Sequence, residues 1–381
     1  MSSNHILITM ANAIDPTTGG VERVYHNLTP ALREHGYEVY VTYNIKSDYD
    51  SHSVYTEIFY LGDLKRHRKA YFKRMFEIIR DKNIDIAICP FPDYYTFRFF
   101  SRQSQLKVFF HVHNVPSLLM YQSPRFIPKG LKGTFIDKIA KKTRFLLRYS
   151  SSFKRIDKNG MKVVLLSEGF RQDLNSFYHF KPENVVAIPN PFPIKTSIEA
   201  HSYQKEKAIL YVGRINQRHK RFQSVLNIWQ KLQDRLPGYC LNIVGGGQEK
   251  EAFEKKARDM KLKRITFYGF QNPDEFYKKS LVSCMTSNFE GFPMVLVEAM
   301  QYGCVPFAFD SFAAIHDIID NGVNGFIIPP FDEDKYAETV ERFVHLPPEQ
   351  QTTMQDNCIK KAQTFSVDKI YERWNEIIRN Y

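Results

Sequence analysis

A chain of 381 residues, 43% of them apolar, is long enough for two domains and apolar enough to bury a core in each, which excludes a disordered protein. The net charge of +12 is uneven: between Asp63 and Lys162 stand about 23 Lys and Arg against 7 Asp and Glu, an excess of about 16, so that half suits an anionic membrane surface or a nucleic acid, or is simply a well-solvated face. The five cysteines, Cys89, Cys240, Cys284, Cys304 and Cys358, are scattered without C-x-x-C spacing, which argues against structural zinc and a disulfide framework and for a reducing compartment.

Met1–Asp15 holds no Lys or Arg and no apolar stretch of leader length, so no signal peptide is expected. No apolar run approaches the roughly 18 residues of a spanning helix. The expected place is the cytoplasm, free or peripheral on the inner face of the membrane. His5–Met10 reads as the first strand. A loop ending in Gly19-Gly20 leads into an amphipathic helix, Val21–His35, closed by Gly36. Glu38–Tyr43, Ile84–Cys89, Lys107–Asn114, Lys162–Ser167 and Asn184–Pro189 are further short β-rich runs with helical patterns between several of them. Strands alternating with helices imply a parallel sheet. Pro191–Lys207, with two prolines and a polar stretch, reads as a linker.

The alternation resumes with strands at Ala208–Arg214, Leu241–Val244, Ile265–Tyr268, Val282–Thr286, Val305–Phe309 and Phe326–Ile328. Helices are expected over Arg221–Leu236, Glu249–Asp259, Pro293–Tyr302 and Asp332–Phe343, and a last amphipathic one over Val367–Tyr381. Two doubly wound units bind ligands at the carboxyl ends of their strands. Facing each other, they would form one deep cleft.

The strongest chemical signal is Asn288-Phe289-Glu290-Gly291-Phe292-Pro293-Met294-Val295-Leu296-Val297-Glu298-Ala299-Met300. Gly291 supplies a tight turn and Pro293 suits the first helical position. Glu298 is a carboxylate on an otherwise apolar helix, costly unless bonded. Paired carboxylates suit vicinal sugar hydroxyls, and the helix start between them offers N–H groups to an anion. By spacing alone, a capping Glu290 and a Glu298 paired with a local Lys explain the pattern equally well. Arg214 and Lys220 suit a diphosphate leaving group, as fixed cations aimed at growing negative charge. Read alone, Gln217–Arg221 is a basic surface turn.

In the first half, Gly19-Gly20 before a helix allows close approach to a phosphate, or is a plain turn. His111 and His113 end the strand Lys107–Asn114 on one face. Tyr94, Tyr95, Phe97, Phe99 and Phe100 interleave with the basic stretch, a combination that suits a lipid–water interface. It would also suit stacking on single strands, but no nucleic-acid module accompanies it. Asp48-Tyr49-Asp50 and Asp332-Glu333-Asp334 resemble metal-binding triplets. They lie in polar stretches apart from the other motifs and read as solvated loops.

The Glu-x7-Glu element within Glu-Gly-Phe-Pro-x5-Glu-Ala-Met resembles that of glycosyltransferase family 4, and the likeness extends over nearly the whole chain. Gly19-Gly20-Val21-Glu22-Arg23 resembles the family's N-terminal loop. Ile188-Pro189-Asn190-Pro191 resembles its strand into the linker. Tyr211-Val212-Gly213-Arg214 with Lys220 resembles its phosphate-binding pair. Ile243–Gly247, Phe267–Phe270 and Gly322-x2-Asn324-Gly325-Phe326 resemble its remaining turns. One position departs: the family usually has Gly after the lysine, where Arg221 stands here.

The resemblance implies a GT-B fold, α/β, with residues 1–190 on the acceptor side, helix 367–381 packing back on them, and residues 191–366 binding the nucleotide sugar. It implies that Glu298 holds the ribose hydroxyls, Glu290 the donor-sugar hydroxyls, and the backbone of Gly291, Phe292, Pro293, Met294 and Val295 the sugar and pyrophosphate. The backbone of Phe270 meets the base, Gly213 and Gly245 line the nucleotide turns, and His113 rather than His111 faces the reacting sugar. The expected reaction is retaining transfer from a nucleotide sugar, UDP-linked, to a cell-envelope glycan or lipid-linked acceptor, by front-face attack and without metal or other cofactor. A nucleotide-sugar epimerase on the same fold, and a non-enzymatic membrane or nucleic-acid surface binder, are the alternatives.

Overall fold

The computed structural model describes residues 4–381 except 12, 18, 47–48, 50–53, 65, 91–93, 117–134 and 195–202, and for residues 135–141 the backbone alone. The chain divides into two units: Met1–Pro191 with Val367–Tyr381, and Phe192–Ser366.

Unit 1 is a parallel sheet of seven strands, β1 His5–Thr9, β2 Glu38–Tyr43, β3 Glu57–Tyr60, β4 Ile86–Pro90, β5 Lys107–Val112, β6 Lys162–Leu165 and β7 Val185–Ala187, in the order β3-β2-β1-β4-β5-β6-β7. The central strands are apolar almost throughout because both faces are covered. On one face lie α1, Gly20–Glu34, and α13, Val367–Arg379, packed on each other. Ile370, Tyr371, Trp374 and Ile378, spaced to share one helix face, bury α13 in the core of Ile6, Ile8, Val24, Leu28 and Phe109. Arg373 ties it down by donating to the Ala187 carbonyl (2.6 Å).

Among the described residues, the remaining α-helices of unit 1 are α2, Arg68–Asp81, α3, Tyr94–Phe100, α4, Phe135–Lys158, and α5, Phe170–Asn175. Here the structure narrows the reading of the aromatic stretch, since two of its five rings are not at the surface. Phe97 and Phe100 are buried, and Phe97 packs on Phe110 of β5 and on Tyr149 and Phe153 of α4. These rings fill the core between helix and sheet. No helix of the described residues is long and apolar enough to cross a membrane.

Unit 2 has six parallel strands, β8 Glu206–Val212, β9 Cys240–Val244, β10 Ile265–Gly269, β11 Ser280–Met285, β12 Val305–Phe309 and β13 Phe326–Ile328, in the order β10-β9-β8-β11-β12-β13. Its helices are α6 Phe222–Leu232, α7 Lys250–Asp259, α8 Asp274–Lys279, α9 Met294–Met300, α10 Ile315–Ile318, α11 Glu333–Val344 and α12 Pro348–Gln363. α6 packs on α11, and α9 on α12. The two ends of the unit meet where Phe192 donates its N–H to the Phe365 carbonyl (2.8 Å) and bridges Ser366.

Four elements escape the periodicity argument, the four-residue α10 being one of them. β3 is a four-residue edge strand with only partial burial. α8 has six residues, mostly polar. α12 buries only Met354, Gln355, Cys358 and Ala362, a stripe too narrow to show against its glutamines and lysines. Pro293 is the N-cap of α9, with extended ψ of 91°, rather than its first helical residue.

Candidate active site

In each sheet the strand order reverses at one place, between β1 and β4 in unit 1 and between β8 and β11 in unit 2. The carboxyl ends of the strands at such a reversal form the natural ligand crevice of an open α/β sheet.

In unit 2, four loops leave neighbouring strands at this edge. They are laced by backbone bonds: Gly213 N–H to the Val244 carbonyl (3.0 Å), Ile215 N–H to Gly246 (2.8 Å), and Gly245 N–H to Gly269 (2.7 Å). Gly245 has φ +138°, and a Cβ there would overlap the Gly213 carbonyl oxygen, so the close approach of the two turns requires glycine. Phe270, just beyond Gly269, is 90% exposed.

The loops after β8 and β11 are stitched across the reversal. Asn288 donates its N–H to the His219 carbonyl (2.8 Å) and its side-chain amide to the Arg218 carbonyl (2.8 Å). The Thr286 hydroxyl donates to the Lys220 carbonyl (2.9 Å). Asn216 accepts from the backbone N–H of His219 (2.9 Å) and of Lys220 (3.1 Å), fixing the turn. Arg221 then takes the left-handed conformation, φ 48° and ψ 46°, as the N-cap of α6. This accounts for the glycine usual at that position, since a side chain there is strained. Arg221 is held by a bond from Nε to the Ser224 hydroxyl (3.0 Å) and by its guanidinium lying 4.3 Å over the Phe331 ring.

This frame brings two of the sequence-derived residues together. Lys220 Nζ donates to Glu290 Oε1 at 2.6 Å, with the two side chains 16% and 10% exposed. His219 Nε2 lies 3.5 Å from Glu290 Oε2. Burial alone would raise the Glu290 carboxyl, but the Lys220 ammonium and then His219 outweigh it and hold it at about 2. Glu290 is thus an ion-pair partner and not a helix cap.

Glu298, just over one turn into α9, is buried and accepts from the Tyr277 hydroxyl (3.1 Å). Phe292 and Met294 are buried, with the Phe292 ring against Phe365, while Gly291 and Val295 are half-buried. Arg214 is exposed on the loop after β8, and its carbonyl accepts from the Tyr211 hydroxyl (2.9 Å). Among the described residues, the partners of the Glu290 carboxylate are Lys220 and His219.

In unit 1, Gly19 is the N-cap of α1, where a Cβ would overlap the Glu22 carboxylate, and Gly20 is the first helical residue. Tyr25, buried on α1, bridges the two histidines at the end of β5: its hydroxyl is 2.7 Å from His111 Nδ1 and 3.2 Å from His113 Nε2. The imidazole rings are 3.9 Å apart. His111 is fully buried, whereas His113 is half-buried. Burial lowers both, His111 well below its ordinary value and His113 to about 3, so neither is charged near neutrality. Burial also raises the Tyr25 phenol.

Asp332-Glu333-Asp334 is largely solvated, as expected, but opens a helix rather than lying in a loop. Asp332 caps α11 by accepting from the Lys335 N–H (2.8 Å), Glu333 accepts from Asn227 (2.9 Å), and Asp334 pairs with Lys231 (2.6 Å). Asp48 and Asp50 lie outside the described residues. Among the described residues, no group of three His, Cys, Asp or Glu is arranged to hold a metal ion. Part of the basic charge is committed: the Arg148 guanidinium lies 4.1 Å over Tyr94 and that of Arg68 4.6 Å over Tyr95. Tyr25, His219 and Tyr277 were not singled out by the sequence. Only the position of His219 beside Lys220 could have flagged it.

Two family models cover most of the chain. The one described as Glycosyltransferase Family 4 matches residues 18–195, and the one described as Glycosyl transferases group 1 matches residues 194–365. An uncharacterized glycosyltransferase of Haemophilus influenzae is 28% identical over 57% of this chain and 61% of its own length. A lipopolysaccharide 1,6-galactosyltransferase of Salmonella typhimurium is 29% identical over 48% of this chain and 52% of its own. The chain therefore spans less than two thirds of either relative. Among solved structures, Anabaena HepE in complex with UDP-glucose superposes with a TM-score of 0.73, at 15% identity, over 99% of this chain and 100% of that one. That likeness shows a shared fold.

Proposed function

We propose, since this chain belongs to the glycosyltransferases of family 4 and has their GT-B fold of two parallel-sheet α/β units, that it transfers a hexosyl unit from a UDP-linked sugar to a hydroxyl of a cell-envelope glycan or lipid-linked acceptor, with retention at the anomeric carbon. The observation that carries this reading is the Lys220–Glu290 pair at the strand reversal of unit 2, with Glu298 on the helix that follows.

In this reading Glu298 accepts from the ribose hydroxyls and Glu290 from hydroxyls of the donor sugar. Phe270 meets the base through its backbone. The backbone of Gly213, Gly245 and Gly291–Val295 lies along the diphosphate and sugar. As the bond from the anomeric carbon to the diphosphate oxygen breaks, negative charge grows on the leaving group, and Lys220 and Arg214 stabilise it. The acceptor hydroxyl attacks from the same face, and its proton passes to the departing phosphate oxygen. Glu290, taken up by the sugar hydroxyls, is not available as a nucleophile. His113, neutral, offers the reacting sugar a hydrogen bond rather than a charge.

The two cations supply the charge compensation a divalent ion would otherwise give, so activity is expected to persist in EDTA. Loss in EDTA with recovery on adding manganese would overturn that part. The acceptor class is supported by the Salmonella relative, which by its name acts on lipopolysaccharide, and the donor class by HepE, which binds UDP-glucose. The protein works on the cytoplasmic face, peripherally: the excess charge of Asp63–Lys162 is accompanied by Leu147, 80% exposed beside the exposed Arg144. Co-sedimentation with anionic but not neutral vesicles at low salt is expected, and recovery in the supernatant with both would remove the membrane.

The test is incubation with UDP-glucose, UDP-galactose and UDP-N-acetylglucosamine, with and without a cell-envelope glycan fraction, reading UDP release and the anomeric coupling of the product. Acceptor-dependent UDP release with an α-linked product from an α-linked donor supports the reading. An inverted product refutes retention, and conversion of the donor sugar without acceptor would indicate an epimerase.

A further inference from the structure

We propose that His219 is the positioning residue that keeps Glu290 in place when Lys220 turns from it to the diphosphate of the donor. The inference rests on the donor site just proposed. That site asks Lys220 to meet phosphate and Glu290 to meet sugar, yet in the structure the two are bonded to each other at 2.6 Å. A diphosphate draws the ammonium away. A carboxylate with its side chain 10% exposed would then lose its main cation, which is costly in so buried a position.

His219 is built to remain. Its Nε2 donates to the Phe289 carbonyl (2.8 Å), and since a carbonyl only accepts, the proton must be on Nε2. The same nitrogen is 3.5 Å from Glu290 Oε2, while Lys220 holds Oε1, so the two donors occupy different oxygens. The ring lies flat on Phe289, with centroids 4.6 Å apart and planes at 20°. The backbone of His219 is anchored on both sides, its N–H to Asn216 and its carbonyl to Asn288. Nothing in this set depends on where the Lys220 side chain points. When Lys220 leaves, a small turn of the carboxylate brings Oε2 within bonding range of the Nε2–H, which it then shares with the Phe289 carbonyl. His219 thereby lets one lysine serve the empty and the loaded site in turn.

Two substitutions separate this role from simple packing. His219→Phe keeps a flat ring over Phe289 but has no N–H, while His219→Gln keeps a side-chain N–H and loses the ring. Both are checked by thermal melting, and His219→Leu replaces the Phe variant if that does not fold. Calorimetric titration with UDP-glucose reads the outcome. His219→Gln is expected to bind within about threefold of the unsubstituted protein, and His219→Phe about tenfold more weakly, the scale of one hydrogen bond to a charged group. The opposite ranking would show that only the ring matters and would overturn the proposal. Equal weakening, or no weakening in either, overturns it too. If the unsubstituted protein binds neither UDP-glucose nor UDP, the donor reading itself falls and this inference with it.

Discussion

At the ligand edge of its sheet, unit 2 gathers a carboxylate held at about 2 by a lysine and a histidine. Unit 1 gathers at the equivalent edge two imidazoles and a phenol from which burial removes charge. The folds are alike, parallel sheets with one reversal each, so the difference lies in what the loops carry. On the proposed reading, charge is kept where a diphosphate is to be met, and neutral hydrogen-bonding groups are kept where a sugar hydroxyl is.

The comparison breaks most sharply if the charges of unit 2 prove dispensable. Glu290→Gln and Lys220→Ala are each expected to reduce transfer by about 100-fold or more, in kcat as well as KM, because the charge they manage grows in the transition state. Steady-state kinetics of folded variants measure this, and a change confined to KM would assign Lys220 to ground-state binding alone.

Acidification should separate the units next. A histidine whose folded value is depressed stabilises the fold above its ordinary value of 6.5 and loses that contribution as pH falls toward the folded one. For His111 and His113 the loss begins near pH 6.5 and, for His113, runs to about 3. The depressed Glu290 follows the same sign, but its contribution is intact above its ordinary 4.5 and fades only toward about 2. Unit 1 is therefore expected to loosen at higher pH than unit 2. The chain has two tryptophans, Trp374 in unit 1 and Trp229 in unit 2, both buried. Fluorescence of Trp229→Phe reports unit 1, and that of Trp374→Phe reports unit 2, each with its own core intact. Coincident acid transitions would contradict the contrast.

Much of unit 2 was legible in the sequence because its loops are constrained locally. Gly245 has no room for a Cβ, and Glu290 and Glu298 stand at fixed spacing around a turn. Unit 1 was less so. Tyr25 meets His111 and His113 from 86 and 88 residues away, a contact that only the packing of α1 on the sheet creates. The aromatic run Tyr94–Phe100 misled in part for a related reason: composition records that rings and charges are neighbours in sequence, not that Phe97 and Phe100 point into a core. Tyr277 was likewise hidden in a six-residue helix.

Smaller effects sharpen the picture within unit 2. Tyr277→Phe removes one hydrogen bond to Glu298 and is expected to weaken UDP binding by about fivefold with kcat little changed. An equal loss in kcat would move Glu298 closer to the chemistry than the ribose. At Arg221, the left-handed backbone should make Gly the better tolerated replacement: Arg221→Gly is expected to melt close to the unsubstituted protein and Arg221→Ala to be about 1 kcal/mol less stable than it. The reverse order in thermal melts would mean that the contacts to Ser224 and Phe331, not the backbone, govern the turn.

Hydrogen–deuterium exchange with and without UDP tests the assignment of the donor to unit 2 most directly, because it reads every loop of both units at once. The account predicts protection on binding in all four loops of unit 2, at Gly213–Arg221, Gly245–Gly247, Gly269–Phe270 and Asn288–Val295, with His111–His113 of unit 1 unchanged. Saturating UDP that leaves those four loops unprotected, whatever happens at Gly19–Gly20, would contradict it.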